Sequence, residues 1–192
     1  MPERGIAMQE EEYVYWNDYD KEVAEAIYNS LMKEKLKVEF NRPKAVMSFD
    51  INIAEDELRH SFIVREGYFF LYVTSKLLIV DRENIRMMNA VPQLINRINY
   101  YLEICNFELN CETGEIRVKA SHLYEKGKVP ENLRTLLFDM IYAAETAFSD
   151  YWNALEGVIL RRDMTAKEAI EYVERVEKFR IRKNILSALN GE

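Results

Sequence analysis

Apolar residues alternate with polar ones along five stretches of this chain and recur every three or four residues along four others. A period of two marks a half-buried strand, and a period near 3.6 marks an amphipathic helix. Val23, Ile27 and Leu31 repeat every fourth residue, with Ala24, Tyr28 and Met32 beside them, which predicts a helix over about 18–36 capped by Asp18 or Asn17. Beyond Pro43, alternation runs through 45–53 and 58–65, and a third strand starts at Tyr68. Glu66-Gly67 makes a two-residue turn that sets Val64 against Phe69, Phe62 against Leu71 and His60 against Val73. Lys76 to Val80 either extends the third strand or forms a short one of its own. Asp81 is a good cap for a second helix, within which Pro92 predicts a kink or a fresh start. Leu94, Ile95, Ile98, Tyr101 and Leu102 complete its buried stripe.

The chain between Cys105 and Ala120 reads as a hairpin. Cys105, Phe107, Leu109 and Cys111 point one way and Asn106, Glu108 and Asn110 the other, and Ile116, Val118 and Ala120 alternate with Arg117 and Lys119. With Thr113-Gly114 as turn centre, Cys111 faces Ile116, Leu109 faces Val118, Phe107 faces Ala120 and Cys105 faces His122. A slip of one residue would set apolar side chains against Arg117 and Glu115, so the apolar pattern rejects it. Leu133 to Ile159 then keeps the i, i+3, i+4 rhythm and predicts the longest helix. Thr165 and Glu168 form a capping box for another, along which Ile170, Val173, Val176, Ile181, Ile185 and Leu189 run.

On the third strand Tyr68, Phe70 and Tyr72 fall on the face opposite the core, with Ile63 and Ser61 nearby. A sheet covered on one side normally carries polar residues there. Either another element of the chain, such as the last helix, covers this aromatic stripe, or a partner does. Tyr13, Tyr15 and Trp16 form a second aromatic cluster, which either staples the first helix to the core or acts as an arm that docks on a partner.

Composition sets limits on function. The 192 residues suffice for one sizeable core, and 48% hydrophobic with 31% charged residues marks a globular protein. A net charge of −7 argues against a nucleic-acid surface. No run approaches the roughly 18 apolar residues of a membrane span, and the first residues lack the apolar core of a signal peptide, so a cytoplasmic location is expected. Arg161-Arg162 and the group Lys178, Arg180, Arg182 and Lys183 make a local basic patch, which serves solubility and the helix dipole or meets nucleic acid or an acidic partner.

Candidate chemistry is sparse. Cys105 opposite His122 places a thiol beside an imidazole, the elements of a nucleophile and its base, but no third group orients the histidine. Cys111 lies roughly 20 Å from Cys105 at about 3.3 Å per residue, which rules out a disulfide and a shared zinc site. The six glycines are scattered and form no phosphate loop. No catalytic residue, metal or cofactor is assigned.

Through Leu94-Ile95-Asn96-Arg97-Ile98-Asn99, Phe107-Glu108-Leu109 and Glu112-Thr113-Gly114-Glu115-Ile116-Arg117, the sequence resembles the YbjN-type family of bacterial proteins, which share the fold of type III secretion chaperones. The resemblance spans about 18–159 and departs at the cluster from Tyr13 to Trp16 and at the helix after Thr165. It implies a compact α+β sandwich, often dimeric, that binds extended segments of other proteins along apolar grooves. The expected architecture is an antiparallel sheet in the order α-β-β-β-α-β-β-α with helices packed on it and an extra C-terminal helix. Residues 1–17 are expected to form an arm, 18–160 the domain, and 161–192 a helix packed on that domain or on a dimer partner. The expected function is non-enzymatic protein binding, to another protein or as a homodimer, through Tyr68, Phe70, Tyr72, Tyr13, Tyr15 and Trp16. The alternatives are a ligand or catalytic pocket near Cys105 and His122, and a structural homo-oligomer closed through the last helix.

Overall fold

The structure, a computed structural model, describes residues 19–53 and 56–190. The element order is α1 (Lys21–Lys33), β1 (Glu39–Asn41), β2 (Val46–Asn52), β3 (Glu57–Arg65), β4 (Tyr68–Ile79), α2 (Ile85–Asn99), β5 (Cys105–Leu109), β6 (Glu115–Leu123), α3 (Leu133–Ile159) and α4 (Ala166–Asn190). The protein is α+β. One antiparallel sheet runs in the order β1-β2-β3-β4-β6-β5, and the short edge strand β1 is an addition to the expected order.

The helices share one side of the sheet. Leu58, His60, Phe62 and Val64 of β3, Phe69, Leu71 and Val73 of β4, and Ile116, Val118 and Ala120 of β6 are buried beneath them. α3 lies across β4, β6 and β5 and carries the longest row of buried side chains, from Leu133 to Ile159. At about 1.5–3 kcal/mol for each large apolar side chain removed from water, this two-layer core is the main stabilising term.

Sequence and structure agree on the β3–β4 hairpin, where Val64 pairs with Phe69, Phe62 with Leu71 and His60 with Val73. They differ on the β5–β6 hairpin, which is slipped by two residues: Leu109 pairs with Ile116, Phe107 with Val118 and Cys105 with Ala120. The cause is turn chemistry. Asn110 Oδ1 accepts from the backbone N–H of Glu112 (2.9 Å) and Thr113 (3.3 Å), and the Asn110 carbonyl accepts from Gly114 (2.7 Å), so the strand ends at Leu109 and the loop is longer than two residues. Cys111 is therefore exposed rather than on the core face. Gly114, at φ +78°, holds this loop against the end of β4: its carbonyl accepts from Val80 N–H at 2.8 Å, and a Cβ would fall 2.1 Å from the Val80 carbonyl oxygen.

Three helix expectations are corrected. α1 starts at Lys21, and its cap is Asp20, whose Oδ1 accepts from Val23 N–H at 3.2 Å; Asn17 and Asp18 lie outside the described residues. α2 is capped by Asn84 rather than Asp81, through a 3.2 Å bond from Met87 N–H. Pro92 sits inside α2 without ending it, because Met87, Val91, Leu94, Ile95 and Ile98 pack one continuous stripe into the core on both sides of the lost hydrogen bond. The Thr165–Glu168 capping box forms as expected, with Thr165 N–H to Glu168 Oε2 at 2.7 Å and Glu168 N–H to Thr165 Oγ1 at 3.3 Å. Lys76 to Ile79 extends β4 past a register shift.

Candidate functional site

Among the described residues, two surfaces group several apolar or aromatic side chains that the core does not bury. The first is the side of the sheet opposite the helices. Tyr68, Phe70 and Tyr72 stand in a row there, with Tyr68 and Phe70 6.1 Å apart and stacked, and Phe70 and Tyr72 4.9 Å apart edge to face. Tyr68 is 41% exposed, whereas Phe70 and Tyr72 are half-buried. What covers them is the adjacent strand. The Arg117 guanidinium lies 4.0 Å from the Tyr72 ring, and Lys119 Nζ lies 5.2 Å from Phe70 and 5.7 Å from Tyr72. Long cationic side chains lay their apolar stems and their charge over the ring faces. Glu108 of β5 holds both cations, at 2.9 Å from Arg117 and 3.8 Å from Lys119. The last helix does not lie over this row; it packs on α2 and α3. Tyr13, Tyr15 and Trp16 lie outside the described residues.

The second surface is a groove of about 660 Å³ where α3, α4 and the α2–β5 connection meet. Tyr100, Ile104, Tyr142 and Ile181 line it and are 74%, 67%, 72% and 53% exposed. They belong to different elements, so no single periodic stripe announces them. Tyr100 ends α2, Ile104 sits on the following turn, and Tyr142 and Ile181 flank the buried stripes of α3 and α4. Sequence reasoning missed all but Ile181, which it placed in the buried row.

Carboxylates rim this groove. Glu103 and Asp139 are exposed, and neither has an ion-pair partner among the described residues. Deeper in, Glu177 is buried and accepts from the Tyr151 hydroxyl at 2.6 Å, while Arg180 lies 3.0 Å from Asp150 and 3.4 Å from Glu177. Burial raises the Asp150 carboxyl above its ordinary range; Arg180 opposes this and Glu177 adds to it. Burial, followed by the bond to Glu177, raises the Tyr151 phenol, so it stays protonated as the donor.

Cys105 lies on the groove wall but is itself buried, with Sγ donating to the Ala143 carbonyl at 3.7 Å. Burial pushes its thiol up to about 11, the opposite of what an activated nucleophile requires. His122 is not opposite it. The two-residue slip brings Ala120 there, and His122 packs on Phe69 at 5.5 Å between ring centres. His60 is wholly buried, stacked on Phe49 at 5.0 Å, with Nδ1 3.2 Å from the Leu58 carbonyl. Its Nε2 lies 3.2 Å from Glu145 Oε1, but the two are not aligned as a hydrogen bond. The edge strand β5 is closed by a side chain: Asn99 donates from Nδ2 to the Phe107 carbonyl (2.9 Å) and accepts from Phe107 N–H on Oδ1 (2.7 Å). This removes two free backbone groups from the edge and reduces its capacity to pair with another strand.

Comparisons of the chain with protein-family models, with curated proteins and with solved structures found no match. Among the described residues no helix is long and apolar enough to cross a membrane, and no three His, Cys, Asp or Glu side chains are grouped to hold a metal ion.

Proposed function

We propose that this chain is a non-enzymatic protein-binding module of the cytoplasm, chaperone-like or regulatory, which works through its exposed apolar surface. The observation that carries the reading is the convergence of Tyr100, Ile104, Tyr142 and Ile181 on one groove. Such a cluster, rimmed by charge, is the usual form of a docking surface, and aromatic side chains concentrate binding energy because they bury much area with little rotamer loss. The resemblance to YbjN-type proteins and to secretion chaperones belongs to the same proposal, since it implies the holding of extended segments in apolar grooves. The row Tyr68, Phe70 and Tyr72 is the second surface the reading offers, with Tyr68 as its most exposed member. The thiol of Cys105, buried and raised, supports a packing role for that residue rather than a catalytic one.

The test is suppression of aggregation of a chemically unfolded test protein, followed by light scattering. The full chain should suppress aggregation at near-stoichiometric ratios. Ile104→Ser with Tyr142→Ser should lose that capacity while the circular dichroism spectrum stays native. If the full chain has no effect on any unfolded protein tried, the chaperone-like reading fails. If instead Tyr68→Ser with Phe70→Ser removes the effect, binding belongs to the sheet face.

A further inference from the structure

One wall of the groove, the part of α4 that carries Glu177, Arg180, Ile181 and Asn184, also carries exposed side chains that do not line it. α4 packs through Ala169, Val173 and Glu177 against the body, but every residue from Lys178 to Asn184 is exposed, including Phe179 at 71%. Lys178, Phe179, Arg182 and Lys183 line no part of the groove, and a large apolar side chain such as Phe179 left in water calls for a surface to lie on.

Its chemistry is the complement of the groove beside it. This exposed face carries Lys178, Arg182 and Lys183, none with an ion-pair partner among the described residues. The groove carries Glu103 and Asp139, equally unpaired, and four carboxylates in all against the single guanidinium of Arg180. Apolar residues sit among the charges on both sides, Phe179 and Ile181 on the helix and Ile104 and Tyr142 in the groove. The chain's own α4 forms a wall of its groove and does not fill it. A two-fold axis would solve both problems at once, since an isologous contact places patch a on patch b and b on a.

We propose that the groove is occupied by a second copy of this chain, with the exposed face of each α4 at Lys178, Phe179, Arg182 and Lys183 lying in the partner's groove in a two-fold dimer. This rests on the reading that the groove is the chain's protein-binding surface. Lys178 and Lys183 of one copy meet Glu103 and Asp139 of the other, and Phe179 is covered between Ile104 and Tyr142. Complementary charges of this kind fix orientation and suppress wrong partners.

The experiment is light scattering of the full chain over a concentration series, with two charge-reversed variants. One is Glu103→Lys with Asp139→Lys, and the other is Lys178→Glu with Lys183→Glu. The full chain should be a dimer that dissociates on dilution, and each variant alone should dimerise about tenfold or more weakly. Mixed in equal amounts, the two variants should form a heterodimer close to the native affinity, because each groove then meets a helix of opposite charge. A folded full chain that stays monomeric at every concentration overturns the proposal. So does a dimer that both variants leave intact, or a mixture that restores nothing. A monomeric chain that still loses aggregation suppression through Ile104→Ser with Tyr142→Ser would sink the dimer and leave the binding reading standing. A dimer of the expected kind with no effect on unfolded proteins would do the reverse.

Discussion

The two sides of this molecule treat exposed aromatic rings differently. On the open side of the sheet, Phe70 and Tyr72 are half-buried because Arg117 and Lys119 of the neighbouring strand lie over them and Glu108 pins both cations. In the groove, Ile104 and Tyr142 have no such cover among the described residues, Tyr100 stays 74% exposed although the Arg97 guanidinium lies 5.1 Å from its ring, and the carboxylates of Glu103 and Asp139 stand unpaired. A sheet face supplies its own cover, since every residue has a cross-strand neighbour within about 5 Å. The junction of two helices and a turn has no such ladder, so apolar side chains there stay bare until something else arrives. An aromatic stripe is thus not by itself a sign of a partner; the absence of a neighbour that can cover it is the better sign.

The largest test of this contrast is the double substitution Phe70→Ala with Tyr72→Ala. Two half-buried rings should cost about 3–5 kcal/mol in urea unfolding, about half of what two fully buried ones would cost. The matching pair on the other side, Tyr100→Ala with Tyr142→Ala, should leave monomer stability within about 1 kcal/mol. Equal losses from the two pairs would erase the distinction. Below the groove, Tyr151→Phe takes the 2.6 Å donor from the buried Glu177 carboxylate and should cost about 1–3 kcal/mol, leaving Arg180 as its remaining partner.

Alkaline pH probes the groove wall at Cys105. Burial raises the Cys105 thiol from 9.0 to about 11, so the unfolded chain loses that proton first. The stability linked to this thiol is complete below pH 9 and is lost as pH climbs towards 11. The Tyr124 phenol, raised by burial to about 12, adds to the slope above pH 10. Cys105→Ser should flatten the decline in denaturant midpoint between pH 9 and 10.5. At pH 8 a thiol reagent should label exposed Cys111 quickly and Cys105 at the rate of opening. The smallest effect is expected for Arg117→Ala, about 0.5–1 kcal/mol, from the lost contact over Tyr72 and the pair with Glu108.

Most of the fold was legible in the sequence because periodicity reports which face is buried. The β3–β4 register followed from Glu66-Gly67 and the apolar alternation together. The β5–β6 register did not, for a physical reason. A slip of two keeps every side chain on its own face, so hydrophobicity cannot oppose it, and the decision passed to Asn110 and to the fit of Gly114 against Val80. The error carried His122 to a false position opposite Cys105. Pro92 was read as a kink or a fresh start from its local cost; the helix makes no fresh start there, because the stripe from Met87 to Ile98 outweighs that cost. The groove was legible only as separate residues, Tyr100 and Ile104 at the end of one helix and Tyr142 and Ile181 on two others. Their meeting depends on how α3 and α4 pack, and no local pattern encodes it.

Hydroxyl-radical footprinting of the full chain across a concentration series tests the central claim most directly, because it reads every aromatic ring in one experiment. Tyr100, Tyr142 and Phe179 should label strongly in dilute solution and less as concentration rises. Tyr68 should keep constant labelling, and Phe70 and Tyr72 should be weakly labelled throughout. Strong labelling of Phe70 and Tyr72 that fades with concentration, while Tyr142 and Phe179 stay unchanged, would contradict it and move the working surface to the sheet.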